Sequence, residues 1–227
     1  MVGARLERTR RQGDPVAVHF EPEHVINDAS ELRALIPPPR PAQETKALAS
    51  LDVHCRKWIE RSPFIVIASR DAAGAMDLSP KGDPAGFVQI LDDSTIAIPD
   101  RPGNRRLDTL QNVLEEPQVA VMFMVPGRGE VVRVDGTAQL VTAPNLLQTM
   151  VVNDRPPLLA LVVTIDTVMF HCGKSIIRSK LWSPEQWPSI DGLASYAECL
   201  ADQTTSDETV DQMETRFATW HDGNELY

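Results

Sequence analysis

The chain has few cysteines, few aromatic side chains and no long apolar run. Only 3 of its 227 residues are cysteine, and 5% are aromatic. No stretch reaches the roughly 18 apolar residues that a membrane-spanning helix needs, so no membrane association is predicted. Cys55, Cys172 and Cys199 are widely spaced and form no CxxC pair. This spacing predicts reduced thiols and a cytoplasmic location rather than a disulfide framework.

The sequence also lacks the patterns of common metal and nucleotide sites. No pair of its 5 histidines has metal-ligand spacing, so no metal is predicted. Neither GxxxxGK[ST] nor GxGxxG occurs, which excludes a P-loop and a dinucleotide-binding fingerprint. The net charge of −10 argues against long nucleic acids as partners, because their phosphates would be repelled. A local basic cluster in such an acidic chain indicates a site for one small anion.

The hydrophobic pattern changes along the chain from helical to strand-like periodicity. Helices are predicted at 25–36 and at 43–60, separated by the proline-rich stretch 37–41. Later helices are predicted at 103–116 and 143–152. Short apolar runs with turn signals predict strands at 64–69, 76–79, 86–91, 95–98, 119–125, 131–140 and 158–170. This order is typical of a mainly β (α+β) fold, an antiparallel barrel with flanking helices.

Three parts of the chain are predicted. Residues 1–22 begin with an arginine-rich stretch that lacks the apolar core of a secretory signal, so we expect a disordered tail. Residues 23–182 form the barrel domain with its N-terminal helices. Residues 183–227 are acidic and are predicted to be a helical extension.

The first candidate site is the segment PDRPGNRRLD, from Pro99 to Asp108. It is predicted to join a strand to a helix, and helix N-termini bind phosphates through free N–H groups. Arg101 and Arg105 add guanidinium groups that match phosphate geometry, and Gly103 permits close backbone approach. The same string is equally compatible with a solvated turn that carries surface arginines.

Two further segments carry polar groups at predicted strand ends. SPKGDP contains Ser79 and Lys81, which can donate hydrogen bonds to an anion or to flavin oxygens. The same string is also typical of an ordinary structural loop. HCGKSIIRSKLW follows the last strand and carries several basic residues. His171 and Cys172 are adjacent and would point to opposite faces of a strand, so packing or ligand contact is favoured over a nucleophile pair.

Four segments, in order, resemble a known family. SPKGDPAGFVQILDD, AIPDRPGNRRLDTLQNVLEEP, VPGRGEVVRVDGTAQL and FHCGKSIIRSKLW are similar to the flavin-binding relatives of pyridoxamine 5'-phosphate oxidase, and the resemblance covers about residues 58–182. It implies a split β-barrel homodimer that binds two FMN molecules at the subunit interface.

The resemblance also implies which residues contact the cofactor. One subunit would supply Ser79, Pro80, Lys81, Gly82, Pro99, Arg101, Asn104 and Arg105, with Thr109 and Asn112 behind them. The second subunit would supply Lys174, Arg178 and Trp182. It identifies no catalytic side chain.

The function implied is an FMN-dependent oxidoreductase that acts on an unidentified small molecule, with NAD(P)H as a candidate electron donor. Two alternatives stay open: a non-catalytic flavin-binding or sensing protein, and a flavin-free split-barrel interaction module. Pyridoxamine phosphate oxidases end in an arginine-rich segment that grips the substrate phosphate. This chain ends in an acidic extension instead, which argues against a vitamin B6 substrate.

Overall fold

A computed structural model describes residues 20–221 and residue 226. The chain divides into two compact units, residues 1–45 and residues 46–227. A disordered tail is predicted for residues 1–22, and residues 1–19 of it lie outside the described residues. The predicted domain bounds at 22 and 182 stay predictions.

The first unit contains short helices only. A 3-10 turn at Pro22–His24 is followed by helix α1 (Ala29–Leu35) and helix α2 (Pro41–Glu44). Helix α1 begins later than predicted because Asp28 has extended backbone and its side chain accepts hydrogen bonds from the amides of Ser30 and Glu31. Every described residue of this unit is exposed.

The second unit is built on one antiparallel sheet of seven strands. Its order is β2-β1-β5-β6-β7-β4-β3, and every neighbouring pair is antiparallel. The strands are β1 (Phe64–Arg70), β2 (Met76–Gly82), β3 (Gln89–Ile90), β4 (Thr95–Pro99), β5 (Gln118–Met124), β6 (Val131–Val141) and β7 (Ala160–His171). The predicted antiparallel fold is confirmed. The edge strands β2 and β3 do not pair with each other, so backbone hydrogen bonds do not close the sheet into a complete barrel.

Six α-helices accompany the sheet. They are α3 (Val53–Ile59), α4 (Asp108–Glu115), α5 (Pro144–Gln148), α6 (Lys174–Ser179), α7 (Tyr196–Gln203) and α8 (Val210–His221). In the C-terminal pair, Ala197 of α7 and Met213 of α8 are buried. None of the described helices is long and apolar enough to cross a membrane.

The main core lies on one face of the sheet. Strand β1 alternates, so that Ile65 and Ile67 are buried while Phe64 and Val66 face the other way. Phe123 of β5 is fully buried and pairs with Ile65 on one side and with Val132 on the other. The sequence predicts such an alternation for residues 131–140, where Val132, Val134 and Ala138 are buried while Arg133, Thr137 and Gln139 are exposed.

The predicted helix at 43–60 is wrong as a continuous element. Only Pro41–Glu44 and Val53–Ile59 are helical. Between them Leu48 donates from its amide to the carbonyl of Val168 and accepts a bond from the Val168 amide. This bridge to β7 replaces the intrahelical bonds that the periodicity indicates.

The predicted helix at 103–116 is wrong in its start and only partly right in its buried face. It begins at Asp108, and residues 100–107 form a loop in which Arg105 and Leu107 have positive φ. The spacing of Leu107, Leu110, Val113 and Leu114 predicts that they share one buried face. Val113 is buried, whereas Leu107 and Leu114 are exposed. The buried side carries Thr109 and Asn112 together with Val113, because the two polar side chains hydrogen-bond to the sheet.

Three smaller elements also differ. The strand expected at 86–91 is only two residues long, Gln89–Ile90. The helix expected at 143–152 is limited to Pro144–Gln148, where proline occupies its first turn. Helix α6, within the predicted third site, has no counterpart in the prediction.

Candidate functional site

A row of polar side chains lies on the inner side of edge strand β2. Asp77, Ser79 and Lys81 pair directly with Ser69, Ile67 and Ile65 of β1. Directly paired residues share a face, and these three β1 residues are buried. The predicted donors Ser79 and Lys81 therefore point to the same side as the core, where an edge strand leaves room for a ligand.

The loop 100–107 and the start of α4 are attached to this row on either side of Ser79. Lys81 Nζ lies 3.1 Å from Asp100 Oδ1. At the other end Thr109, in the first turn of α4, donates its hydroxyl to Asp77 Oδ2 at 2.8 Å. The structure thus brings the two predicted segments, SPKG and PDRPGNRR, together.

A cavity of about 170 Å³ lies where these segments meet. Its walls come from strands that are not neighbours in the sheet, because β2 is at one edge and β4 lies beyond β7. The lining residues are Pro80, Lys81, Gly82, Phe87, Pro99, Arg101, Pro102 and Gly103. Five of the predicted cofactor contacts, Pro80, Lys81, Gly82, Pro99 and Arg101, are in this set.

The arginines of the loop differ in what they contact. Arg101 donates from Nε to Asp83 Oδ2 at 2.7 Å and from Nη2 to the carbonyl of Met150 at 2.7 Å. Arg106 holds Asp108 at 2.7 Å. Arg105 is exposed, and among the described residues no hydrogen bond or ion pair of its side chain is found. Arg105 is the arginine whose guanidinium is available for an anion.

Asn104, Thr109 and Asn112 are used within the protein itself. Asn104 Oδ1 accepts a bond from the Arg106 amide at 3.0 Å and shapes the loop. Asn112 Nδ2 donates to Ser69 Oγ at 3.0 Å. The bonds of Thr109 and Asn112 fix α4 against β1 and β2, and their role as cofactor contacts stays a prediction.

Lys174, Arg178 and Trp182 lie at a different part of the sheet. They lie in or after helix α6, which follows β7, and none of them lines the cavity. Lys174 and Arg178 are exposed on α6. Trp182 donates its indole N–H to the carbonyl of Arg128 at 2.7 Å. The structure does not bring these residues together with Lys81 in one chain.

His171 ends strand β7 with a buried ring nitrogen. Within the described residues its Nε2 has no hydrogen-bond partner. Burial lowers the pKa of His171, the charges of Lys46 and Arg133 lower it further, and Asp135 opposes them. The neutral ring is therefore the form that suits the fold.

This depressed pKa predicts a pH effect on stability. A lowered folded-state pKa means that the unfolded chain binds the proton more readily, so stability is full above about pH 6.5 and declines as the pH falls below it. We expect His171→Gln to flatten the dependence of the melting temperature on pH between 7 and 5, compared with the exposed control His54→Gln. If the melting temperature depended equally on pH in the wild type, His171→Gln and His54→Gln, His171 would not be the source of this effect.

Two carboxylates of the site are absent from the predicted set. Asp83 has a fully buried side chain and pairs with Arg101, whereas Asp100 pairs with Lys81. Both lie inside the quoted segments, next to or near the basic residues. Alternating acidic and basic residues in SPKGD and PDR were the signal that could have predicted these pairs.

Comparison with known proteins places the chain in a family. The model of the family described as pyridoxamine 5'-phosphate oxidase matches residues 51–172, more than half of the chain. A search of the curated proteins finds no match.

Solved structures of low similarity also match. HupZ of Group A Streptococcus is 16% identical, with 52% of this chain and 91% of that chain covered and a TM-score of 0.43. A putative pyridoxamine 5'-phosphate oxidase from Lactobacillus delbrueckii is 18% identical, with 54% and 95% covered and a TM-score of 0.43. An FMN-binding protein from Syntrophomonas wolfei is 12% identical, with 51% and 86% covered and a TM-score of 0.39. The family assignment rests on the family model, which spans the sheet, the cavity and the loop 100–107: the chain belongs to the pyridoxamine 5'-phosphate oxidase family.

Proposed function

We propose that the protein binds FMN and is an FMN-dependent oxidoreductase that acts on a small molecule. The observation that carries this proposal is the cavity between β2 and the loop 100–107, which Lys81 lines. Ser79 lies on the same face of β2 as Lys81, and Arg105 is exposed on the loop. Such a donor set suits a phosphate monoester. Membership of the family supports flavin as the molecule that carries the phosphate.

The phosphate end of FMN lies between Ser79 and Lys81 on one side and Arg105 on the other. Lys81 keeps donors to spare while it contacts Asp100, because an ammonium group has three. Thr109, bonded to Asp77, places the start of α4 beside the same strand, and the positive end of that helix favours an anion. Pro80, Gly82 and Pro99 line the cavity through apolar and backbone atoms.

The second part of the FMN site comes from a partner subunit. Lys174, Arg178 and Trp182 do not line the Lys81 cavity of their own chain. In a homodimer they supply positive charge and an indole ring to the other subunit's cofactor. This arrangement accounts for exposed basic residues on α6 that have no acidic partner among the described residues.

The dimer forms through the outer face of the sheet. Phe64, Met76, Leu78 and Met122 lie on this face, opposite the core, and are 37–69% exposed. We define these four residues as the outer apolar patch. A contiguous apolar area on a sheet face is typical of a protein–protein interface.

When bound, FMN supplies the hydride chemistry, and the protein holds the cofactor and the small-molecule substrate in place. The side chains around the cavity therefore bind and orient, which fits a site without an acid–base or nucleophile pair among the described residues. NAD(P)H is the electron donor to test first.

An FMN titration tests the proposal. We expect wild-type protein to bind FMN more tightly than riboflavin, which lacks the phosphate. Arg105→Ala should weaken FMN by about 1.5–3 kcal/mol, the range for a charge-assisted bond, and should leave riboflavin unchanged. The control Arg106→Ala removes the same charge from the same loop and should have a smaller effect, because Arg106 already holds Asp108. Equal binding of FMN and riboflavin by the wild type would refute the phosphate site.

The dimer has its own test. Leu78→Asp places a charge in the outer apolar patch and should convert a dimer into monomers in sedimentation equilibrium. Leu114→Asp, at a side chain of similar exposure on α4, is the control and should leave the dimer intact. A monomeric wild-type protein, or a dimer that survives Leu78→Asp, would contradict this interface.

A further inference from the structure

The Asp83–Arg101 ion pair differs from the other ion pairs of the described residues in its burial. The Asp83 side chain is 0% exposed and the Arg101 side chain is 13% exposed. The other pairs expose at least 22% of each side chain. A buried charge that loses its partner is costly, so both members of this pair are held in place.

This pair connects three segments that are distant in the sequence. Asp83 follows β2 directly, and its amide donates to the carbonyl of Pro63 before β1. Arg101 follows β4 and reaches Asp83 with Nε and the carbonyl of Met150 with Nη2. Its neighbour Asp100 donates its amide to the carbonyl of Leu159, just before β7. The pair thus joins the two sides of the open sheet at the cavity.

These contacts separate the roles of two arginines that the sequence could not distinguish. We propose that Arg101 is a positioning residue that holds the loop 100–107 over strand β2, so that Arg105 and Lys81 converge on the phosphate. Arg101 does not bind the phosphate itself. This inference rests on the proposed FMN site and assigns a specific task to the Asp83–Arg101 pair within it.

The direction in which Asp83→Asn changes the affinity for FMN distinguishes a positioning role of Arg101 from direct phosphate binding. If Arg101 bound the phosphate, Asp83 would compete for it, and Asp83→Asn would release the guanidinium and strengthen FMN binding. If Arg101 positions the loop, the same substitution removes its anchor and weakens FMN binding. Asparagine is nearly isosteric with aspartate, so the substitution changes the charge and leaves the packing.

The experiment titrates FMN and riboflavin against the full chain in four forms: wild type, Asp83→Asn, Arg101→Gln and the double variant. We expect each single variant to weaken FMN by about tenfold or more, with riboflavin affinity changed by less than about twofold. The double variant should bind FMN no more weakly than the single variant that has the lower FMN affinity, because both substitutions break the same Asp83–Arg101 contact. Arg101→Lys, which keeps the charge beside Asp83, should restore part of the loss.

Two results would overturn the inference while the FMN site stands. The first is FMN binding that is unchanged or tighter in Asp83→Asn while Arg101→Gln weakens it. The second is an equal loss of FMN and riboflavin, which would indicate general damage to the fold. A wild-type protein that binds no FMN would instead refute the proposed function, so the two failures are distinguishable.

Discussion

Replacing both Lys81 and Arg105 with alanine is expected to weaken FMN binding by about a thousandfold. Each group contributes one charge-assisted contact of about 1.5–3 kcal/mol, and together they amount to two to four factors of ten in affinity. Lys81 lines the cavity and contacts Asp100, and Arg105 is exposed on the loop whose residues 101–103 line the same cavity. Isothermal titration with FMN measures the loss.

The matched control for this double variant removes two positive charges elsewhere. Arg106→Ala with Arg216→Ala gives the same change in net charge, and both arginines hold carboxylates, Asp108 and Glu208. We expect the control to weaken FMN by less than about tenfold. Equal losses in the two double variants would show that only the overall charge matters and that the assigned contacts are wrong.

Phe123→Ala is expected to destabilise the protein by about 3–5 kcal/mol, the range for removing a fully buried aromatic side chain. Phe123 is 0% exposed and lies between Ile65 and Val132, which are also fully buried. The cavity left behind cannot collapse easily, because its walls are strands of one continuous sheet. The melting temperature should fall by about 10 °C in calorimetry.

Gln118→Ala is the control for Phe123→Ala. Gln118 is on the same strand and exposed, so the change in the free energy of unfolding should stay below about 0.5 kcal/mol. A small effect of Phe123→Ala, comparable with that of the control, would contradict the core as described.

The sheet could be predicted because short apolar runs and alternation are local properties of the sequence. In β6 apolar and polar residues alternate, and the apolar residues Val132, Val134 and Ala138 are buried, whereas β1 and β5 are predicted as strands from nearly continuous apolar runs. Glycine, proline and aspartate turns separate the strands, and these turn residues act through their own backbone preferences. Sequence alone therefore predicts the antiparallel class of the fold.

Helix α4 shows where this reasoning fails. Its leucines indicate a buried face that includes Leu107 and Leu114, but both are exposed. Thr109 and Asn112 are buried instead because Asp77 and Ser69, on two different strands, offer them hydrogen bonds. A pattern that counts only apolar residues cannot include partners that are more than thirty positions away.

The meeting of the two candidate segments was predictable, but the roles of their residues were not. SPKG and PDRPGNRR do meet at one cavity, as the family resemblance implies. The different roles proposed for Arg101 and Arg105 follow from the hydrogen bonds of Arg101 to Asp83 and to the Met150 carbonyl. Those contacts exist only when β2, β4 and the connection before β7 are folded together.

The phosphate of FMN is proposed to bind between strand β2 and the loop 100–107. A crystal structure of the protein with FMN is the decisive experiment. We expect the phosphate within hydrogen-bonding distance of Ser79 Oγ, Lys81 Nζ and the Arg105 guanidinium, with Arg101 still bonded to Asp83. A phosphate bound elsewhere, or one held by Arg101 after it has left Asp83, would contradict it.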